Sequence, residues 1–231
     1  MTDLILFAVF PYVAVTVAIV VALYRYFGNR FSYSTLSSQF LENRTLFWGS
    51  VPWHYGILFV LAGHLVGLLL PRGVLAWNGV PWRLYVLEIS ALAFALLALW
   101  GLAGFIVRRL TNRRVRAVTS PMDWVLLVAL FLQVSAGIWT ALFYRWGTSW
   151  YAGFAVPYLY SLLAFRPDFA LVQNLPVIVR LHIVGGFVIL LLLPFTRLVH
   201  LLALPVTYLW RPYQVVIWNR RPAQAETSKQ P

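Results

Sequence analysis

Five long apolar runs decide what this chain can become: Leu4–Tyr24, His54–Leu70, Val86–Val107, Trp124–Phe143 and Leu181–Leu204. A helix needs about 20 mainly apolar residues to cross the hydrocarbon core of a bilayer. Each run meets that length, the second once Val51, Pro52 and Trp53 are counted with it. No water satisfies peptide groups inside lipid, so each run must close its own backbone hydrogen bonds as a helix. The expected fold is therefore all-α, a polytopic membrane helix bundle with five transmembrane helices. Charged residues make up 10% of the 231 and hydrophobic ones 61%, against about 25% charged in a soluble domain. One domain over residues 1–221 is expected, with a polar tail at 222–231 that reads as disordered. The first run reads as a span rather than a cleaved leader, since no basic residue precedes it and no small-x-small site follows.

The net charge of +12 sorts by connection. Arg25, Arg30 and Arg44 follow the first run, Arg108, Arg109, Arg113, Arg114 and Arg116 the third, and Arg211, Arg220, Arg221 and Lys229 the fifth. The opposite side carries only Arg72, Arg83, Arg145 and Arg166. Basic residues collect on the cytoplasmic side, so the N-terminus is expected outside and the C-terminus inside. This sorting accounts for the charge without a nucleic-acid partner, and no nucleic-acid module is visible. Tryptophans near run ends, among them Trp53, Trp77, Trp82 and Trp124, match an interfacial belt. The stretch Asn29–Ser50 reads as an amphipathic segment on the cytoplasmic membrane surface. The connection Tyr144–Pro176 is long enough to hold short helices. The chain has no cysteine, which excludes iron–sulfur ligation and disulfides within it. No phosphate-binding loop, dinucleotide fingerprint or zinc-protease motif is present.

All four histidines fall in two of the runs: His54 and His64 in the second, His182 and His200 in the fifth. Imidazole inside a membrane is costly and marks function by default. The second and fifth helices run antiparallel. His54 and His200 therefore share the inner depth, and His64 and His182 the outer depth. Two pairs at two depths are the ligand set for two haems b with bis-histidine axial ligation. At about 1.5 Å per residue, His54 and His64 lie roughly 15 Å apart and His182 and His200 roughly 27 Å apart along one continuous helix. Eighteen residues are five whole turns, so His182 and His200 face one way, while His54 and His64 fall about 80° short of alignment. Pro194 should bend the fifth helix and aim His200. A non-haem metal is disfavoured by the separation of the pairs and the lack of carboxylates beside them.

Gly56, Gly63, Gly67, Gly185 and Gly186 flank the ligands, where a flat porphyrin needs clearance, although small residues also serve helix contacts. Arg114 and Arg116 on the inner loop, and Arg197 three residues before His200, are candidates for haem propionates. Topology alone is the alternative reading for each arginine.

The stretches Arg180-Leu-His-Ile-Val-Gly-Gly-Phe187, Leu193-Pro-Phe-Thr-Arg-Leu-Val-His200 and Pro205-Val-Thr-Tyr-Leu-Trp-Arg-Pro-Tyr-Gln214 resemble the gamma subunit of respiratory nitrate reductase, a dihaem membrane cytochrome b. The resemblance extends to Phe10-Pro-Tyr12, Ser37-Ser-Gln-Phe-Leu41, Gly63-His64 and Arg114-Val-Arg-Ala117, and covers nearly the whole chain. It implies a multi-pass subunit of the prokaryotic cytoplasmic (inner) membrane that oxidises a quinol near the outer haem. Electrons then pass to the inner haem and to cytoplasmic iron–sulfur (beta) and molybdenum (alpha) subunits that reduce nitrate. The implied ligands are His64 and His182 for the outer iron and His54 and His200 for the inner, the pairing already reached from depth.

One feature departs from the family. Its quinol site includes a lysine on the outer loop before the third helix, where this chain has none. Arg83 is the nearest basic residue and Glu88 follows closely; with Gly63 they are the expected quinol-side residues. For Arg83 and Glu88 the alternative is interfacial snorkelling. Two other functions stay open on sequence alone: a dihaem cytochrome b serving formate, hydrogen or heterodisulfide, and a haem-free membrane anchor or transporter.

Overall fold

A computed structural model describes residues 1–28 and 44–202. The motif 205–214, the tail and most of the stretch 29–50 lie outside the described residues. The described elements are helical, with no strand among them. Five helices are long and apolar enough to cross a membrane. They belong to α1 (Thr2–Gly28, with a π turn at Ile5–Val9), α2 (Arg44–Leu69), α4 (Pro81–Thr111), α6 (Pro121–Phe143) and α10 (Val177–Leu192). Short helices fill the connections: α3 (Pro71–Asn78), α5 (Arg113–Ala117), α7 (Gly147–Trp150), α8 (Val156–Leu163) and α9 (Ala170–Gln173).

Helix starts follow local chemistry. Proline opens α3, α4 and α6, where its missing N–H costs nothing. Ser120 and Asp123 close a capping box on α6, with Ser120 Oγ accepting from Asp123 N at 3.2 Å and Asp123 Oδ2 from Ser120 N at 3.0 Å. Asn112 Oδ1 accepts from Arg114 N and Val115 N to start α5. Residues 44–50, expected in the surface segment, belong instead to α2, which runs unbroken through Pro52.

The closest packing joins α2 to α4. A Cβ added at Gly56 would lie 2.5 Å from Ala98 N, and one at Gly101 would lie 2.4 Å from Trp53 N. Only glycine lets these backbones approach so closely, a common device between membrane helices. Gly56 therefore serves helix packing and not porphyrin clearance. Trp53, Ala98, Leu102, Leu126, Leu127 and Leu130 form a buried cluster that binds α2, α4 and α6. A second cluster, Phe7, Tyr158, Leu162 and Val172, docks the 147–173 connection on α1, where Tyr158 OH donates to Phe7 O at 2.8 Å.

The fifth run is not one helix through Leu204. The α-helix stops at Leu192, a 3-10 turn covers Leu193–Phe195, Thr196 is extended (φ −122°, ψ 179°), and a second 3-10 turn spans Arg197–Leu201. Pro194 lacks an N–H and its ring crowds the carbonyl four residues back, and here the α-helix ends at Leu192 instead of running on as α2 does through Pro52. Thr196 Oγ1 then accepts from Leu198 N at 3.4 Å and starts the next turn. His200 consequently rides on its own turn, and the five-turn alignment with His182 does not apply.

Candidate functional site: two histidine pairs

Antiparallel α2 and α4, with Trp53 on Gly101, bring the start of α2 beside the end of α4. His54 emerges there, one residue beyond Trp53. The turn 197–201 reaches the same end and presents His200. The ring centres of His54 and His200 are 6.2 Å apart, at 64°. At the other end His64 on α2 and His182 on α10 have ring centres 6.3 Å apart, at 44°. These are the two pairs that share a depth.

All four rings carry the same kind of hydrogen bond. His54 Nδ1 lies 2.7 Å from Ser50 O, His64 Nδ1 2.8 Å from Val60 O, His182 Nδ1 3.0 Å from Gln133 O and His200 Nδ1 2.6 Å from Arg197 O. A carbonyl only accepts, so each Nδ1 holds the proton and each Nε2 keeps its lone pair. A ligating histidine is held in this way, with the non-ligating N–H donated to a carbonyl.

The spacing can be tested against a metal. A ligating imidazole nitrogen sits about 2.0–2.1 Å from a transition metal and about 1.1 Å from its own ring centre, so two axial rings on one ion hold their centres roughly 6.3 Å apart. Both pairs meet that figure. Among the described residues no three His, Cys, Asp or Glu side chains gather at one point. The donors come two at a time, as haem iron requires, since the porphyrin supplies the other four. His54, His64 and His200 are exposed, although they belong to an apolar bundle.

The outer pair has a seat that was not read from the sequence. Gln133 on α6 donates from Nε2 to His182 O at 3.0 Å while its own carbonyl takes the His182 proton. Gly185 makes room for this amide, since a Cβ there would lie 2.1 Å from Gln133 Oε1. Gly137 faces the imidazole itself, where a Cβ would lie 3.0 Å from His182 Cε1. Tyr151 sets its ring 5.0 Å from that of His64 and donates to His64 O at 2.9 Å. Burial, and secondarily the neighbouring Tyr160, push the Tyr151 hydroxyl up to about 12, so it remains a donor at neutral pH. Gly67 clears the Tyr151 ring, with a would-be Cβ at 2.7 Å. A lone amide in an apolar run was a visible signal for Gln133; Tyr151 carried none.

The other expected residues divide. At Gly63 an added Cβ would meet nothing within 4 Å, so the α2 surface beside His64 is open. Arg83 lies over Trp77 (5.2 Å) and Trp82 (5.6 Å), and Trp77 Nε1 donates to Arg83 O. Glu88 Oε1 accepts from Thr148 N at 2.8 Å and Thr148 Oγ1 at 2.7 Å, tying α7 to α4. Arg114 and Arg116 are exposed on α5, beyond the end of α4 that adjoins His54. Arg197 is paired with Asp123, Nε to Oδ1 at 2.8 Å.

Fold and site together define a helical membrane protein, with five helices long and apolar enough to cross a bilayer, that brings its four histidines together as two pairs. The chain belongs to the nitrate reductase gamma subunit family, whose model matches residues 3–219. It is 36% identical over 225 residues to the nitrate reductase gamma chain of Bacillus subtilis, covering 96% of this chain and 100% of that one. Identity to the respiratory nitrate reductase 2 gamma chain of Escherichia coli is 33% over 214 residues, 90% of this chain and 93% of that one. The nitrate reductase-like protein NarX of Mycobacterium tuberculosis is 32% identical over 223 residues, 92% of this chain but 33% of that longer protein.

Proposed function

We propose that this chain is the quinol-oxidising membrane cytochrome b subunit of a respiratory nitrate reductase in a prokaryotic cytoplasmic membrane. Two haems b, one held by His64 and His182 and the other by His54 and His200, supply one-electron transfer from quinol to an iron–sulfur subunit and on to a molybdenum subunit that reduces nitrate. The observation that carries this reading is the equality of the two ring separations, 6.2 and 6.3 Å, with all four Nδ1 protons donated to carbonyls. The chain has no cysteine to hold an iron–sulfur cluster, which supports a separate iron–sulfur subunit. The gamma-chain names of the relatives support the same division of labour.

The protein's own part is to orient ligands and admit substrate. The carbonyl partners fix ring rotation and raise the basicity of Nε2. In this reading the His54/His200 end faces the cytoplasm and the partner subunits, which the basic-rich connections support. Quinol approaches the opposite end, over the open surface at Gly63. Arg83 offers a permanently charged donor there, with its guanidinium held over two indole rings.

The test uses full-length protein in membranes. Wild type should show two low-spin haems b. His54→Ala and His200→Ala should each remove one and the same haem, and His64→Ala and His182→Ala the other. Loss of a common haem in His54→Ala and His182→Ala would refute the pairing. Quinol-driven haem reduction should slow in Gly63→Leu and Arg83→Ala variants that keep both haems; wild-type rates in both would move the quinol site elsewhere.

A further inference from the structure

The break after Leu192 leaves His200 on a short turn outside any long helix, with its carbonyl partner, Arg197 O, 2.6 Å from Nδ1. Two contacts from other helices reach this segment. Arg25, at the end of α1, donates from Nη1 to Pro194 O, a carbonyl in the 3-10 turn where the α-helix stops. Asp123, in the first turn of α6, takes the Arg197 guanidinium side-on, Nε to Oδ1 at 2.8 Å and Nη2 to Oδ2 at 3.2 Å. Asp123 is itself 5% exposed and fixed by Ser120 N. Arg197 supplies the carbonyl that receives the His200 proton. The turn is also seated by Thr196 and Val199, both buried.

We propose that Asp123, Arg197 and Arg25 are positioning residues for the inner ligand His200: the Asp123–Arg197 pair pins its turn to α6, and Arg25 pins the preceding break to α1. This rests on the reading of His200 as a haem ligand. It assigns Arg197 to the protein scaffold instead of to a propionate, and gives Arg25 a task beyond membrane topology. A paired, two-point guanidinium–carboxylate contact constrains direction as well as distance. The carbonyl of Arg197 therefore cannot swing without carrying the imidazole with it.

The experiment is a redox titration with low-temperature electron paramagnetic resonance on the full chain in membranes, comparing Asp123→Asn, Asp123→Glu, Arg25→Gln and the exchange Asp123→Arg with Arg197→Asp. Wild type first establishes the two haem signals, and their absence there refutes the haem reading itself. With both present, Asp123→Asn should shift the midpoint and the low-spin signal of the inner haem, the one lost in His200→Ala, and leave the outer haem unmoved. Asp123→Glu should restore most of the wild-type signal, and the exchange more than either of its single changes. Arg25→Gln should perturb the same haem in the same direction. An unchanged inner signal in both Asp123→Asn and Arg25→Gln overturns the proposal. Equal disturbance of both haems in these variants overturns it too, because that marks general loss of the bundle.

Discussion

Gly101→Ala adds one methyl group at the close crossing of α2 and α4. The new Cβ would lie 2.4 Å from Trp53 N and 2.6 Å from its Cα and Cβ, where ordinary contact begins at 3.4 Å. The atoms it meets are backbone, not the tip of a flexible side chain, so α2 and α4 must part by about 1 Å, at an overpacking cost of about 1–3 kcal/mol. His54 adjoins Trp53, and the shift is transmitted to the 6.2 Å gap it shares with His200. Metal–nitrogen distances tolerate only a few tenths of an ångström, about ±0.2 Å. The inner pair therefore absorbs most of the cost, and at 1.4 kcal/mol per tenfold its haem should be held up to about 5- to 150-fold more weakly. The assay is haem content per polypeptide by pyridine haemochrome, with a redox titration to resolve the two centres. The outer haem should persist, because His64 lies about 15 Å further along α2. Gly63→Ala is the matched control, since its Cβ meets nothing within 4 Å. Wild-type haem content and midpoints in Gly101→Ala would refute the link between this crossing and the inner site.

Gln133→Leu removes the donor to His182 O; a net loss of about 0.5–1.5 kcal/mol is expected, read as a shifted midpoint of the outer haem alone. Tyr151→Phe keeps the ring beside His64 but deletes the bond to His64 O; a loss of similar size, about 1 kcal/mol, should appear as a lower thermal midpoint of the outer-haem absorbance. Reporter fusions should place Arg113 inside and Tyr158 outside; an external signal at Arg113 would reverse the assigned depths of the two pairs.

The histidine pairing was legible in the chain because it needs only the number of crossings and the positions of four residues. The existence of the five spans was legible for a similar reason, since apolar length decides it. What failed was continuity. Apolar residues run on past Pro194 to Leu204, so hydropathy alone continued a helix that Pro194 ends at Leu192. The glycines failed differently. Gly56, Gly63 and Gly67 look alike in a sequence, yet one meets α4, one meets open space and one meets Tyr151. Which neighbour approaches is a property of the packed bundle. Asp123 went unread: its cap with Ser120 is local, but its bond to Arg197, 74 residues away, belongs to the tertiary structure.

The break at Thr196 sets His200 apart from the other three histidines. Three ride on helices of sixteen residues or more, Val177–Leu192 being the shortest, so moving any of them means moving a whole rod through its packing. His200 instead lies on a 3-10 turn joined to its span through the extended Thr196, so its direction is set by contacts from α1 and α6 and not by a helix of its own.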